Sequence, residues 1–278
     1  MSRPAAQSDT VRAPRPLLLW TCALTTGAVL LIGLTGPFFA PHSPTTQITT
    51  PYAAPSPGLW LGGDHLGRDV LSRLLDGGPS VVLTSVLATA IAVATGTAAG
   101  LVSALLGHQR GRSGLVMRPL DAVAALPPVL ALLLVLTAVP GRLGVVIAAA
   151  VASAPLSARV VHAAVTPVLR RPHVELAIAR GEGWGWLLRY EVLPLISATV
   201  HADVGLRFVL ALYLVTAAGF LGIGSGGSDW GTLVVEALPG ATLQPVALIA
   251  PLLLIATLAV SVNLLSDSVT RRTPRTGR

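Results

Sequence analysis

Long apolar runs separated by short polar segments organise this chain from end to end. Marking each run by where its charges stop gives six. The first, PLLLWTCALTTGAVLLIGLTGPFFA, is charge-free from Pro16 to Ala40. The second lies between Gly77 and Gly107, the third between Ala122 and Pro140. A fourth, from Leu143 to Ala164, is shorter and contains Pro155, a candidate kink. The fifth follows Pro194 and ends near Leu221, and the sixth ends near Leu265. A helix needs about 20 apolar residues to cross a bilayer, so five runs are long enough and the fourth is marginal. The first exceeds the roughly 7–15 residues of a signal-peptide core and is expected to be an uncleaved anchor. The pattern predicts an all-α membrane protein with six transmembrane helices.

Composition strengthens that reading. Of 278 residues, 53% are hydrophobic and 11% charged, against about a quarter charged in an ordinary soluble domain. Such a chain cannot cover its surface in water and needs a bilayer as part of its solvent. Its basic residues are all arginine. Without lysine there is no P-loop and no Schiff-base amine, so nucleotide energy must come from another polypeptide. The net charge of +7 raises nucleic acid as a partner, but the arginines sit between apolar runs, where they set membrane orientation instead. Cys22 is the lone cysteine, which excludes an intrachain disulfide and a cysteine-rich metal site.

Arginines crowd one side of the expected topology. Arg3, Arg12, Arg15, Arg110, Arg112, Arg118, Arg159, Arg170, Arg171, Arg180, Arg189 and four in the tail fall there; only Arg68, Arg73 and Arg142 fall opposite. The positive-inside rule then makes both termini cytoplasmic. The chain divides into a cytoplasmic arm (1–15) and a transmembrane domain (16–278). Within the latter lie an external loop (41–76), a cytoplasmic segment (about 165–194) and a tail (268–278). In the external loop, Val70, Leu71, Leu74 and Leu75 recur at helical spacing opposite Arg68, Asp69 and Arg73. That pattern predicts a short amphipathic helix on the outer membrane surface.

The cytoplasmic segment is unlike its surroundings. VELAIARGEGWGWLLRYEVLP carries Arg180, Arg189, Glu175, Glu182, Glu191, Trp184 and Trp186 between apolar runs. Pro172 suits the first turn of a helix, and Gly181 suits its end. A second short helix leads to Leu193 and Pro194, where the fifth run begins. The first helix should present Val174, Ala177 and Ile178, flanked by Glu175 and Arg180, as a compact knob for another protein's groove. The residues alone fit equally well an interfacial hairpin that only connects two spans.

This segment resembles the cytoplasmic signature of ABC-importer membrane subunits: E-A-A, three residues, G, nine residues, then I-x-L-P. Glu175-Leu176-Ala177, Gly181 and Leu193-Pro194 match it without a gap, with Leu176 and Glu191 as departures. FFAPHSP, WLGGDHLGRDVLSRLLDGG, MRPLDAVAALPP, GFLGIG, DWG and NLLSD resemble further motifs of the dipeptide/oligopeptide/nickel permease branch. The resemblance implies the type I ABC importer transmembrane-domain fold. It implies a coupling helix involving Glu175, Ala177, Ile178, Gly181, Leu193 and Pro194, docked on an ATP-hydrolysing subunit. The expected partners are a second homologous permease, two ATPase subunits holding ATP and Mg, and an extracytoplasmic substrate-binding protein. Peptide is the expected cargo, with nickel or a metal chelate as the alternative. An ATP-independent secondary transporter or channel is the alternative from another class.

Asp203 and Arg207 stand one turn apart inside the fifth run. Ionisable groups in a span point to function by default, here a pore or gate, while a local i,i+4 ion pair is the structural alternative. Asn263 and Asp267 are expected to pair at a helix end, and Asp121 to favour a helix N-terminus. Gly96 and Gly100 form G-x-x-x-G, which allows close helix packing. The six histidines show no H-E-x-x-H spacing, and no triad or carboxylate pair argues for catalysis. Neither a bound metal nor an enzyme activity is expected.

Overall fold

A computed structural model describes residues 16–223 and 227–272 of the chain. Regular structure among the described residues is helical, with isolated β-bridges near residues 47–69. Helix α1 (Pro16–Thr35) passes into a 3-10 turn, Gly36–Phe39. An irregular loop then leads to α2 (Val70–Arg110), which at about 1.5 Å per residue is roughly 62 Å long, twice the hydrocarbon thickness. It starts where Asp69 accepts hydrogen bonds from the amides of Leu71 and Ser72, and it stops at Gly111 in the left-handed region.

The third run is broken. Helices α3 (Gly114–Ala124) and α4 (Pro128–Ala138) meet at 90°. Pro127-Pro128 accounts for the break: a residue before proline is pushed out of the helical region, and proline has no N–H for the ladder. The expected continuous span over Ala122–Pro140 is therefore corrected to a bent pair, of which α4 covers only about 16 Å. The fourth run, thought marginal, forms α5 (Arg142–Val168), which continues through Pro155 and is the most buried of the spans. Beyond it come α6 (Pro172–Ala179) and α7 (Trp184–Leu187), followed by a π-helical turn over Leu188–Val192. Helix α8 (Leu193–Phe220) carries the fifth run, α9 (Trp230–Ala237) is short, and α10 (Pro245–Arg272) carries the sixth. Among the described residues, five helices are long and apolar enough to cross a membrane, or six if the bent pair counts as one span.

Packing is centred on α2, α5 and α8. Val81, Val82, Ala88, Ala148, Ala149, Ala152, Phe208, Leu212 and Leu214 form the main core with residues of α4, α9 and α10. The expected role of the glycine pair is observed. A methyl on Gly96 would lie 2.6 Å from the Ala154 carbonyl, and one on Gly100 would lie 2.7 Å from that of Ala158. Only glycine lets α2 approach α5 this closely. A second core at one end joins Ala104 of α2 and Val161, Val165 and Val168 of α5 to Val174, Ala177, Leu187, Val192 and Ile196.

The expected surface helix at Val70–Leu75 is corrected. These residues are the first turns of α2, and Val70 (3% exposed), Leu74 (6%) and Arg73 (3%) are buried. The amphipathic pattern is real, but its polar side faces a folded loop rather than water.

Candidate functional site

Three groups of polar side chains stand out, one at each end of the bundle and one between helices. The first is the knob. Pro172 occupies the first turn of α6, and the amides of Val174 and Glu175 bond to the Arg171 carbonyl at 3.0 Å. The helix ends as the sequence predicts. Gly181 adopts φ +81, its amide bonds to Ile178 O at 3.0 Å, and the amide of Glu182 bonds to Ala177 O at 3.2 Å. This is a Schellman closure, which needs a residue free to enter the left-handed region.

The orientation of α6 differs from expectation. Val174 and Ala177 are fully buried against α5 and α7, and Ile178 is half-buried beside them. Outward face Glu175, Ala179 and Leu176, the last 61% exposed. Val174 and Ala177 thus seat the knob, and Leu176, a departure from the motif, is its apolar tip. Leu193 and Pro194 open α8 and are exposed. A 3.7 Å contact joins His173 Nε2 on α6 to Glu191 Oε2 in the π-helical turn.

The second group lies inside the bundle. Arg207 Nε donates to Asp203 Oδ1 at 3.0 Å, and the Ser157 hydroxyl of α5 donates to Asp203 Oδ2. Both charged residues are buried, Asp203 to 3% exposure and Arg207 to 8%. The local ion pair foreseen as the structural alternative is formed, with a third member contributed by another helix. Sequence spacing exposes the i,i+4 pair but has no signal for Ser157, 46 residues away. Asp121 pairs with Arg159 at 2.7 Å, joining α3 to α5 at a half-exposed site rather than capping a helix. The expected pairing of Asn263 with Asp267 lies outside the described residues.

The third group clasps the loop between α1 and α2 at the opposite end from the knob. Arg73 donates to Asp64 Oδ2 at 2.7 Å and also to Glu236 of α9, while Arg68 reaches the same two carboxylates at 2.8 and 3.5 Å. Asp69 holds Ser72 and His42, and Gln244 donates to the Leu61 carbonyl at 2.7 Å. Trp230, fully buried, donates its indole N–H to Leu74 O at 2.9 Å. Burial alone would raise the Asp64 carboxyl. Hydrogen bonds from Arg68 and the Leu66 amide, together with the charge of Arg73, outweigh it and hold Asp64 below the ordinary carboxylate range. Asp64, His65 and Glu236 are close enough for a metal. Their carboxylates already accept from two guanidinium groups, however, and that positive charge opposes a cation.

The helical order and the bend in the third span define a class of membrane transport domain. The MetNI methionine ABC transporter, solved in inward-facing conformations, superposes with a TM-score of 0.56 at 15% identity, covering 70% of this chain and 95% of that one. The fold is that of a type I ABC importer transmembrane domain. Residues 96–275 match the family model described as "Binding-protein-dependent transport system inner membrane component", and the chain belongs to that family. It is accordingly a multi-pass membrane transport subunit, of a family that works with ATPase and substrate-binding partners.

Similar chains include the di/tripeptide transport system permease DppC of Pseudomonas aeruginosa, 34% identical over 75% of this chain and 72% of that protein. The dipeptide permease DppC of Haemophilus influenzae is 28% identical over 87% and 84%. The glutathione permease GsiD of Pectobacterium atrosepticum is 27% identical over 96% and 92%.

Proposed function

We propose that this chain is the peptide-translocating permease subunit of an ATP-driven importer, gripped by its motor at the α6 knob. Peptide as cargo is supported by the named transport roles of its relatives. The observation that carries the coupling role is the architecture of α6. A short helix is seated by Val174 and Ala177 and closed by Gly181, and it holds Leu176 and Glu175 outward at one end of the bundle. In this reading the knob end is cytoplasmic, with both chain termini, and the Asp64 clasp faces outward.

One chain supplies one knob and six spans, so a second homologous permease completes the path. Two ATPase subunits bind ATP and Mg, and an extracytoplasmic protein delivers the cargo. This chain performs no chemistry; it converts closure of the ATPases into access for the peptide. Ser157 and Arg207 satisfy both oxygens of Asp203 locally. That favours Asp203 and Arg207 as an interhelical tie over a pore or gate, and it weakens the alternative of an ion-coupled transporter.

Reconstitution of the chain with its partner subunits in proteoliposomes tests the reading. Uptake of labelled di- and tripeptides should require ATP and the binding protein. Leu176→Asp should abolish both ATPase attachment and uptake. Peptide uptake by the purified chain alone, or attachment unaffected by Leu176→Asp together with Glu175→Arg, would refute it.

A further inference from the structure

The knob is joined to α8 by two routes, and only one of them can carry force. The covalent route runs through Gly181, Gly183 and Gly185, where an added methyl would meet nothing within 4 Å. Gly181 and Gly183 lie between α6 and α7, outside the helices, and glycine backbone there bends before it pushes. Any displacement of α6 must therefore cross the gap through side chains. One bridge is the apolar cluster that Val174 and Ala177 share with α5 and with Leu187 and Val192. The other is polar, the 3.7 Å contact of His173 on α6 with Glu191.

Glu191 lies in an unusual stretch. Leu188–Val192 is π-helical, with the Leu193 amide bonded back to the Leu188 carbonyl. Pro194 explains why the ladder is disturbed here: it has no N–H to offer the Tyr190 carbonyl four residues earlier. Such single-turn π insertions have a widened, irregular ladder and recur at functional sites. Within the continuous helix Trp184–Phe220, this turn is where the ladder widens. Glu191 departs from the apolar residue of the motif at this position and points its carboxylate back at the knob.

We propose that His173 and Glu191 are positioning residues, forming a strut through which movement of α6 enters α8 at the π-helical turn. The proposal rests on the coupling role given to α6 above. The strut sets the angle of α6 on the π turn, and because that turn is continuous with α8 the movement passes to the helix beyond Pro194. Loss of the strut leaves the outward face of the knob, Leu176 and Glu175, intact for docking. It removes the polar bridge that turns docking into tilt.

The test uses the assembled transporter and reads three quantities together: ATPase attachment, ATP hydrolysed, and peptide taken up. Glu191→Ile and His173→Leu should each keep attachment within twofold of the parent and lower uptake per ATP by threefold or more. The double variant should be no worse than either single one. The milder Glu191→Gln should fall between, which guards against a variant that fails to fold. Exchanging the pair, His173→Glu with Glu191→His, should restore uptake per ATP, a rescue that general damage to the helix would not show.

Unchanged uptake per ATP in the single variants overturns the strut while leaving the docking role of α6 standing. Attachment and uptake falling together in proportion assigns the pair to docking and also overturns it. If the parent chain does not retain ATPases at all, the coupling role itself fails, and the strut with it.

Discussion

Asp203 illustrates how much a single buried charge depends on its partners. It sits 3% exposed with one oxygen on Arg207 and the other on Ser157. Removing one member of a buried pair leaves an unpaired charge, which costs about 3–5 kcal/mol. Asp203→Ala should lower thermal stability in detergent accordingly, whereas Asp203→Asn with Arg207→Gln together should cost far less. Asp64 bears on pH. Its folded pKa lies below the ordinary value of 3.8, so its contribution to stability is fully present above that value and is lost as pH falls through the lower folded pKa. Hydrogen exchange should show residues 41–69 losing protection below about pH 3.8, and Asp64→Asn should remove that dependence. At Gly181, φ +81 makes Gly181→Ala strained by about 1–2 kcal/mol. Faster proteolysis between α6 and α7 is the expected sign.

The helices show where local pattern suffices and where it does not. Gly181 and Pro172 mark the ends of α6 correctly because capping is a local matter of φ and of missing N–H groups. The outward face of α6 was misjudged for an equally physical reason. Eight residues with apolar side chains on more than one side do not say which side meets α5 and α7. The same holds for Val70–Leu75, whose amphipathic pattern is shared by a surface helix and by the first turns of a buried one. Close packing of α2 on α5 can be tested directly. Gly100→Leu would drive its side chain into the Ala158 carbonyl and the Val161 side chain, at a cost of about 1–3 kcal/mol or more. Reduced yield of folded protein should follow, while Gly111→Asn at the exposed end of α2 should be tolerated.

At the level of the whole molecule, the two ends of the bundle are built differently. One end carries a knob with an exposed leucine; the other carries a loop stapled to α2 and α9 by Asp64, Arg68, Arg73 and Glu236. In the proposed topology they face opposite sides of the membrane. With Cys22 replaced by serine, cysteines placed at Leu176 and at Trp60, which is 76% exposed, should react with a membrane-impermeant thiol reagent from opposite sides. Labelling of both from one side would overturn that topology. The clasp also makes α9 part of the end opposite the knob. Glu236→Gln leaves Arg73 without one of its two carboxylates and should loosen the loop without affecting attachment of ATPases at the knob.

Apolar runs and scarce charge were enough to predict a helical membrane protein of five or six spans. Transfer of hydrophobic residues to lipid is additive along a chain and needs no knowledge of neighbours. The two ends of α6 were legible too, because glycine at a left-handed turn and proline at a helix start are constraints within a few residues. Ser157 beneath Asp203, Glu236 across from Arg73 and His173 opposite Glu191 were not. Each joins positions that only packing brings together, over separations of 46, 163 and 18 residues. Which face of α6 points outward, and which of its side chains meets the π-helical turn, were decided by the tertiary structure, because burial of a helix face is a property of the helices beside it.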